Sequence, residues 1–233
     1  MPVRPIDIAK KLNISTSALR HYESWGIVPP PERAPNGYRI YTEEHVAYFE
    51  CIRAMLPGFG MNVTKDVMVM VREKETDRAL WTINEQQARL HQDKTMAEKT
   101  LSLLETESLD NVMPRGKRKE MTIGEVAAET GVPASAIRHW EREGLLSLPR
   151  GGDNGYRLFN GTLLRQILII RTLRAAAYPI ESIRQVMKEL DLHHIGSARR
   201  VAKDSLAYLN HINRSQTRGI HYLYRLLQAT GLM

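Results

Sequence analysis

The sequence predicts a mainly α-helical protein built from two copies of one small module, each followed by a long helix. Three observations carry that expectation. Ser17-Ala18-Leu19-Arg20-His21-Tyr22-Glu23 returns as Ser135-Ala136-Ile137-Arg138-His139-Trp140-Glu141. Asn36-Gly37-Tyr38-Arg39-Ile40-Tyr41 returns as Asn154-Gly155-Tyr156-Arg157-Leu158-Phe159, and in both cases the offset is 118 positions. Ala9/Ala127, Gly26/Gly144, Pro31/Pro149 and Arg53/Arg171 keep the same offset, so the chain is a tandem duplication. Behind the first copy a mostly apolar stripe recurs at alternating spacings of three and four, the mark of a helix that pairs with another helix, and a similar seam follows the second copy.

A chain of 233 residues is ample for two compact domains, each with its own core. Hydrophobic content of 42% and charged content of 25% are those of ordinary globular protein. No apolar run approaches the ~18 residues of a membrane span, and Met1-Pro2-Val3-Arg4 leads straight into a helix pattern without a signal peptide. A cytoplasmic protein without membrane attachment is expected. The formal charge of +7 and a pI near 9.6 favour an anionic partner, nucleic acid first. The single cysteine, Cys51, excludes an internal disulfide or an all-cysteine metal cage within one chain, and reads as a small buried hydrophobe.

In order along the chain, Pro5 to Leu12 predicts a short helix with Ile6, Ala9 and Leu12 at helical spacing. Asn13-Ile14-Ser15 is a tight turn, and Ser15 or Thr16 can cap a second helix over about Thr16 to Trp25. That helix turns Ala18, Leu19 and Tyr22 inward and leaves Ser17, Arg20 and His21 outside. Two short helices across a tight turn form a helix-turn-helix, whose second helix enters a DNA major groove. Gly26 stops the helix. Pro29-Pro30-Pro31 is too stiff for helix, and Asn36-Gly37 between short extended pieces predicts a hairpin wing. Thr42 with His45 three residues on starts a helix to about Leu56, Pro57-Gly58-Phe59-Gly60 breaks it, and Thr64 to Arg72 forms another.

Thr76 to Leu109 lacks Gly and Pro and predicts one long helix with a seam of Leu80, Ile83, Gln87, Leu90, Lys94, Ala97, Leu101 and Leu104. Residues 110–120 form a polar linker carrying Arg115, Lys117, Arg118 and Lys119, read as a solvated charge run. The second copy repeats the plan: a helix over Met121 to Glu129, a recognition helix over Ala134 to Glu143, and a wing over Gly152 to Phe159. Helices over Thr162 to Ala176 and from Pro179 to Leu190 follow. A second long helix, about Ser197 to Ala229, has Leu209, Ile212, Gln216, Ile220, Leu223 and Leu227 on its seam, with Gly219 as an interruption. The domains expected are therefore two winged-helix modules, 1–73 and 121–191, and two long helices, 74–109 and 192–233. An antiparallel coiled coil would join those helices, with no further ligand domain appended.

Each half resembles the MerR family of bacterial transcription regulators. The resemblance rests on Ile8-Ala9, Leu19-Arg20-His21-Tyr22-Glu23, Gly26-Ile27-Val28-Pro29 and Asn36-Gly37-Tyr38-Arg39-Ile40-Tyr41. In the second half it rests on Val126-Ala127, Ile137-Arg138-His139-Trp140-Glu141, Gly144-Leu145-Leu146 and Asn154-Gly155-Tyr156-Arg157-Leu158-Phe159. It implies a winged helix-turn-helix ahead of a long helix, antiparallel pairing of those helices, and binding that bends and untwists promoter DNA for RNA polymerase. Two departures stand out. His21 and His139 occupy the place of the family's usual aromatic, and no cysteine lies near the end of either long helix.

The candidate DNA-binding residues of the first copy are Ser15, Thr16, Ser17, Arg20, His21, Tyr22, Tyr38, Arg39 and Tyr41. Those of the second are Ala134, Ser135, Arg138, His139, Trp140, Tyr156 and Arg157. Arginine forks across phosphate oxygens or a guanine edge, short hydroxyls suit a helix N-terminus, and wing arginines reach backbone or minor groove. Half of the wing aromatics should pack inward. His193-His194 lacks a third ligand at useful spacing, so no metal and no cofactor are expected. Trp81, Tyr208, Tyr222 and Tyr224 read as packing rather than as a drug pocket. No catalytic grouping is evident, which argues against an enzyme. The expected partners are duplex promoter DNA and RNA polymerase, met by a monomeric pseudo-dimer, with a homodimer or an architectural DNA-bending protein as the alternatives.

Overall fold

A computed structural model of the chain describes residues 3–105, 121–148, 159–191 and 195–233. The linker 110–120, most of the second wing including Tyr156 and Arg157, and His193-His194 lie outside the described residues. The rest forms a mainly helical protein that divides into two compact units: residues 1–90 with 211–233, and residues 91–210.

In the first unit, α1 (Pro5–Leu12) begins with proline in its first turn, where a missing N–H costs nothing. Asn13, in the left-handed region at φ 51°, closes it. Helix α2 (Thr16–Ser24) starts on Ser15, whose Oγ accepts the Ala18 N–H at 3.1 Å. Gly26, at φ 69°, lets the Ile27 N–H return to the Tyr22 carbonyl and end the helix. Strands β1 (Glu32–Arg33) and β2 (Arg39–Ile40) pair antiparallel around the Asn36-Gly37 turn, with Arg33 opposite Arg39. Val3 bridges to Tyr41 beside them. Thr42 and His45 do form a reciprocal capping box: the Thr42 N–H donates to Nδ1 of His45 at 3.1 Å.

Here the structure narrows the sequence reading to one residue. The break expected at Pro57-Gly58-Phe59-Gly60 falls on its last residue: α3 (Glu43–Arg72) is two helical segments that meet at a kink where Gly60 (φ 73°, ψ 173°) leaves helical geometry. Pro57 removes only one ladder bond, whereas Gly60 leaves helical geometry altogether. Gly58 serves the crossing with a distant helix. A Cβ there would lie 2.5 Å from the Gln216 nitrogen and 2.8 Å from the Ser215 carbonyl carbon. Gly219, expected to interrupt its helix, faces Met55 and Phe59 with only 3.1 and 3.0 Å for a Cβ. Both glycines are packing residues. Ile8, Leu19, Phe49, Ile52, Met55 and Met68 share one core with Ala79 and Ile83 and with Leu223, Leu226 and Leu227.

The second unit repeats the module with α5 (Ile123–Thr130), α6 (Ala134–Arg142), α7 (Gly161–Ala175) and α8 (Ile180–Asp191). Thr122 and Glu125 make a capping box at α5, and Asn160 caps α7 by accepting the Leu163 N–H. Ala177, at φ 59°, divides α7 from α8. The core joins Ile137, Ile167, Ile170, Leu173 and Ile183 to Leu104, Ala198 and Ala202.

The long helices are α4 (Thr76–Glu105) and α9 (Ile195–Ala229). The start of α4 shares a core with the end of α9 in the first unit. In the second unit the end of α4 meets the start of α9, where Arg199 donates to the Leu104 carbonyl at 2.8 Å. That is the order of an antiparallel pair. Each module therefore rests on the long helix that follows the other copy. Among the described residues no helix is long and apolar enough to cross a membrane.

Candidate nucleic-acid interface

Burial sorts the candidate residues into two groups. On α2, Ser17, Arg20 and His21 are exposed and Thr16 is half-buried. On α6, Ser135, Arg138 and His139 are exposed at the matching positions, with Ala134 half-buried. No ion pair holds Arg20 or Arg138 among the described residues. Tyr38 stands out from the wing at 74% exposure.

Tyr22, Tyr41 and Trp140 face the other way and are buried at 6%, 1% and 8%. Their rings pack into the cores of the two modules rather than standing on the exposed face with Ser17, Arg20 and His21. Tyr22 lies against Phe49 and Trp25, and Tyr41 meets Phe49 edge-on at 5.4 Å between centroids. The physical reason is periodicity: Tyr22 and Trp140 fall three residues after Leu19 and Ile137, on the helix face that closes the core. Ser15 is also engaged, since its Oγ already accepts the Ala18 N–H as the N-cap.

Arg39 is not a free wing charge. Its Nε donates to Glu23 Oε2 at 2.8 Å, and the Tyr41 hydroxyl donates to the other oxygen of the same carboxylate. That carboxylate holds the Arg39 guanidinium more firmly protonated than usual. Burial, and then the bond to Glu23, push the Tyr41 phenol above its ordinary value, so it remains a donor. The wing is thereby latched to the outer face of α2, which fixes the two DNA-facing elements relative to each other within the module. In the second copy Phe159 replaces Tyr41 and is fully buried, bridging Met121 as Tyr41 bridges Val3.

Sequence reasoning missed Arg33, Lys65 and Arg72. Arg33 Nη1 donates to the Gly37 carbonyl at 3.1 Å, and Arg72 Nη1 reaches across to the Gly26 carbonyl at 2.6 Å. Lys65 Nζ sits 3.8 Å above the ring of Trp25, at the end of the recognition helix. No motif or periodicity marks these residues, because each acts through a fold contact remote in sequence or through a turn. Cys51 is fully buried, its thiol pushed well up by desolvation. Among the described residues no three His, Cys, Asp or Glu side chains gather as a metal site.

Residues 4–41 match the family described as MerR family regulatory protein, and residues 121–190 match MerR HTH family regulatory protein. The chain is 31% identical over 107 residues to the HTH-type transcriptional regulator CueR of Salmonella typhimurium, covering 43% of this chain and 78% of that relative. The chain belongs to the MerR family. A MerR-type module thus stands at each end of the duplication, and the chain is a regulatory protein, not an enzyme. It is also similar to the mercuric resistance operon regulatory protein of Bacillus cereus, 32% identical over 76 residues, covering 32% of this chain and 58% of that one. The nodulation protein NolA of Bradyrhizobium sp. (strain NC92) is 32% identical over 71 residues, 30% of each chain. No solved structure matches.

Proposed function

We propose that this MerR-family chain is a sequence-specific regulator that grips duplex promoter DNA with both modules at once, as an intramolecular pseudo-dimer. One observation carries the reading: each module packs on the long helix belonging to the other copy, as an antiparallel pair of subunits would, but within one chain. The exposed rows Ser17-Arg20-His21 and Ser135-Arg138-His139, with Arg39 latched to Glu23 on the first wing, supply hydrogen-bond donors for phosphates and base edges. Tyr38, Tyr156 and Arg157 act from the wings. The recognition helices begin differently, Ser15-Thr16-Ser17 against Pro133-Ala134-Ser135, so the operator is an imperfect inverted repeat. Bending and untwisting that operator presents the promoter to RNA polymerase, at a deformation cost offset by contacts from both modules.

Selection of bound duplexes from a random library, with protein mass measured in the same buffer, tests this directly. An imperfect inverted repeat bound by one chain is expected. Arg20→Ala and Arg138→Ala should each weaken binding to that duplex roughly 10-fold or more, the loss of about 1–3 kcal/mol per arginine contact. A two-chain complex, a single half-site, or binding without sequence preference would overturn the pseudo-dimer regulator.

A further inference from the structure

Between the end of α2 and the wing lies a cleft of about 400 Å³ whose wall carries Arg20, Arg33, Arg39 and Arg72 beside the single carboxylate of Glu23. We propose that this cleft is a phosphate-binding subsite peculiar to the first module. Four guanidinium groups against Glu23 on the wall, and Glu73 paired with Arg72 Nη2 at 3.6 Å, leave an excess of two positive charges around one concavity. Such an arrangement repels itself until an anion enters, and a concave wall focuses the field.

The arginines are also oriented for the task. Arg33 is held by the Gly37 carbonyl and Arg72 by the Gly26 carbonyl, each through Nη1. One bond fixes the plane of a guanidinium and leaves its other N–H groups for a ligand. Arg39 is fixed in the same way by Glu23. Val28, Pro30 and Pro31 line the remaining side, a stiff and largely apolar rim that lowers the local dielectric. Gly26 is required there: at φ 69° with the Arg72 Nη1 3.0 Å from any added Cβ, a side chain would displace the arginine.

The duplication supplies an internal control. At the 118-residue offset Arg20 and Arg39 become Arg138 and Arg157, but Arg33 becomes Gly151 and Arg72 becomes Leu190. The second copy keeps two of the four arginines. The phosphate can come from the DNA backbone, in which case the inference rests on the DNA-binding reading above, or from a free polyphosphate that competes with DNA.

The test compares the full chain with an Arg33→Gly/Arg72→Leu variant, which takes the second copy's residues. Affinity for the selected duplex is measured against salt, and inorganic pyrophosphate is titrated calorimetrically. If the source is DNA, the slope of log affinity against log salt becomes shallower by roughly 1–2 in the variant, as one or two phosphate contacts are lost, with the preferred sequence unchanged. If the source is a free polyphosphate, pyrophosphate binds the full chain, displaces duplex, and loses both effects in the variant. An unchanged salt slope together with no pyrophosphate binding overturns the subsite while leaving the regulator reading intact. No duplex binding at low salt defeats the regulator reading instead, and the pyrophosphate titration then decides the subsite alone. Arg33→Gly by itself, at an exposed hairpin position, gives a reduced shift in the same direction should the double variant misfold.

Discussion

Besides shared apolar side chains, the first unit has a crossing of the module with α9 through bare backbone, while the second has a contact of the module with α4 through polar side chains. Gly58 lets the α9 backbone approach so closely that Gln216 Nε2 donates to the Gly58 carbonyl at 3.1 Å. The residue 118 positions on is Ala176, which has no such space to offer. In the second unit Thr100 and Thr172 exchange a buried hydroxyl bond at 3.0 Å, and Arg171 Nη2 pairs with Asp93 at 3.1 Å. The first module has Ala54 where the second has Thr172. Two seams that began as copies are therefore no longer interchangeable. A crossing without its matched glycine or threonine would meet a clash or leave a hydroxyl unpartnered, which disfavours wrong pairings.

The largest effect expected follows from the glycine crossing. Gly58→Ala in an open helix would gain about 1 kcal/mol. Here the added Cβ meets backbone at 2.5 Å, which cannot rotate away. A net loss of about 2–3 kcal/mol is expected from overpacking, with α9 released from the first module. Urea denaturation of the full chain reads it. A stabilised Gly58→Ala protein would mean that the two helices do not cross at this point.

That crossing also shows where sequence reading stops. The duplication, both helix-turn-helix units, the Asn36-Gly37 hairpin and the long seams were all legible, because caps, turns and periodicity act within a few residues. Ser15, Gly26 and Gly144 sit at the helix ends where local chemistry puts them. Gly219 reads as an interruption, and Gly58 as part of a break that belongs to Gly60, because a glycine that admits a neighbouring helix looks the same in sequence as one that ends its own. The partner of Gly58 lies 158 residues away. Arg72, bonded to the carbonyl of Gly26, escaped for the same reason. The inward turn of Tyr22 is legible in its spacing from Leu19, and Trp140 follows Ile137 at the same spacing.

A second contrast concerns protons. His45 is buried at the start of α3 with Nδ1 accepting the Thr42 N–H, so Nε2 carries the proton, beside the backbone of Pro29 and Pro30. Leu163 occupies the matching place in the second copy. Burial holds the His45 imidazole below its ordinary value, outweighing the opposite pull of Glu44, the Pro29 backbone, Glu23 and the Pro30 backbone. The unfolded chain takes up this proton at higher pH than the folded one. Stability from the neutral ring is therefore complete above about pH 6.5 and declines as pH falls through the folded value below it. His45→Leu, borrowing the second copy's residue, should flatten that decline. Thermal melts at pH 7.5 and 5.5 would show a smaller gap in the variant than in the parent; equal gaps would place the acid sensitivity elsewhere.

The smallest effect is expected at Asp93, and its sign is the reverse. Burial raises the Asp93 carboxyl above its ordinary value of 3.8, and the nearby Arg171 only partly offsets this. The folded state then holds the proton better than the unfolded state. The contribution of Asp93 to stability is fullest below the ordinary value and is lost as pH rises through the window just above it. Asp93→Asn keeps an oxygen that can accept from Arg171 and removes the cost of burying the charge. With about a third of the side chain in solvent, screening limits the change at pH 7 to less than about 1 kcal/mol in either direction. Denaturant titrations of parent and variant at pH 4 and pH 7 measure both the size and the slope. A loss of about 3 kcal/mol or more at pH 7 would show instead that Coulomb attraction to Arg171 dominates. The second seam would then be held by a structural ion pair, and acid would weaken both units rather than acting on them in opposite directions.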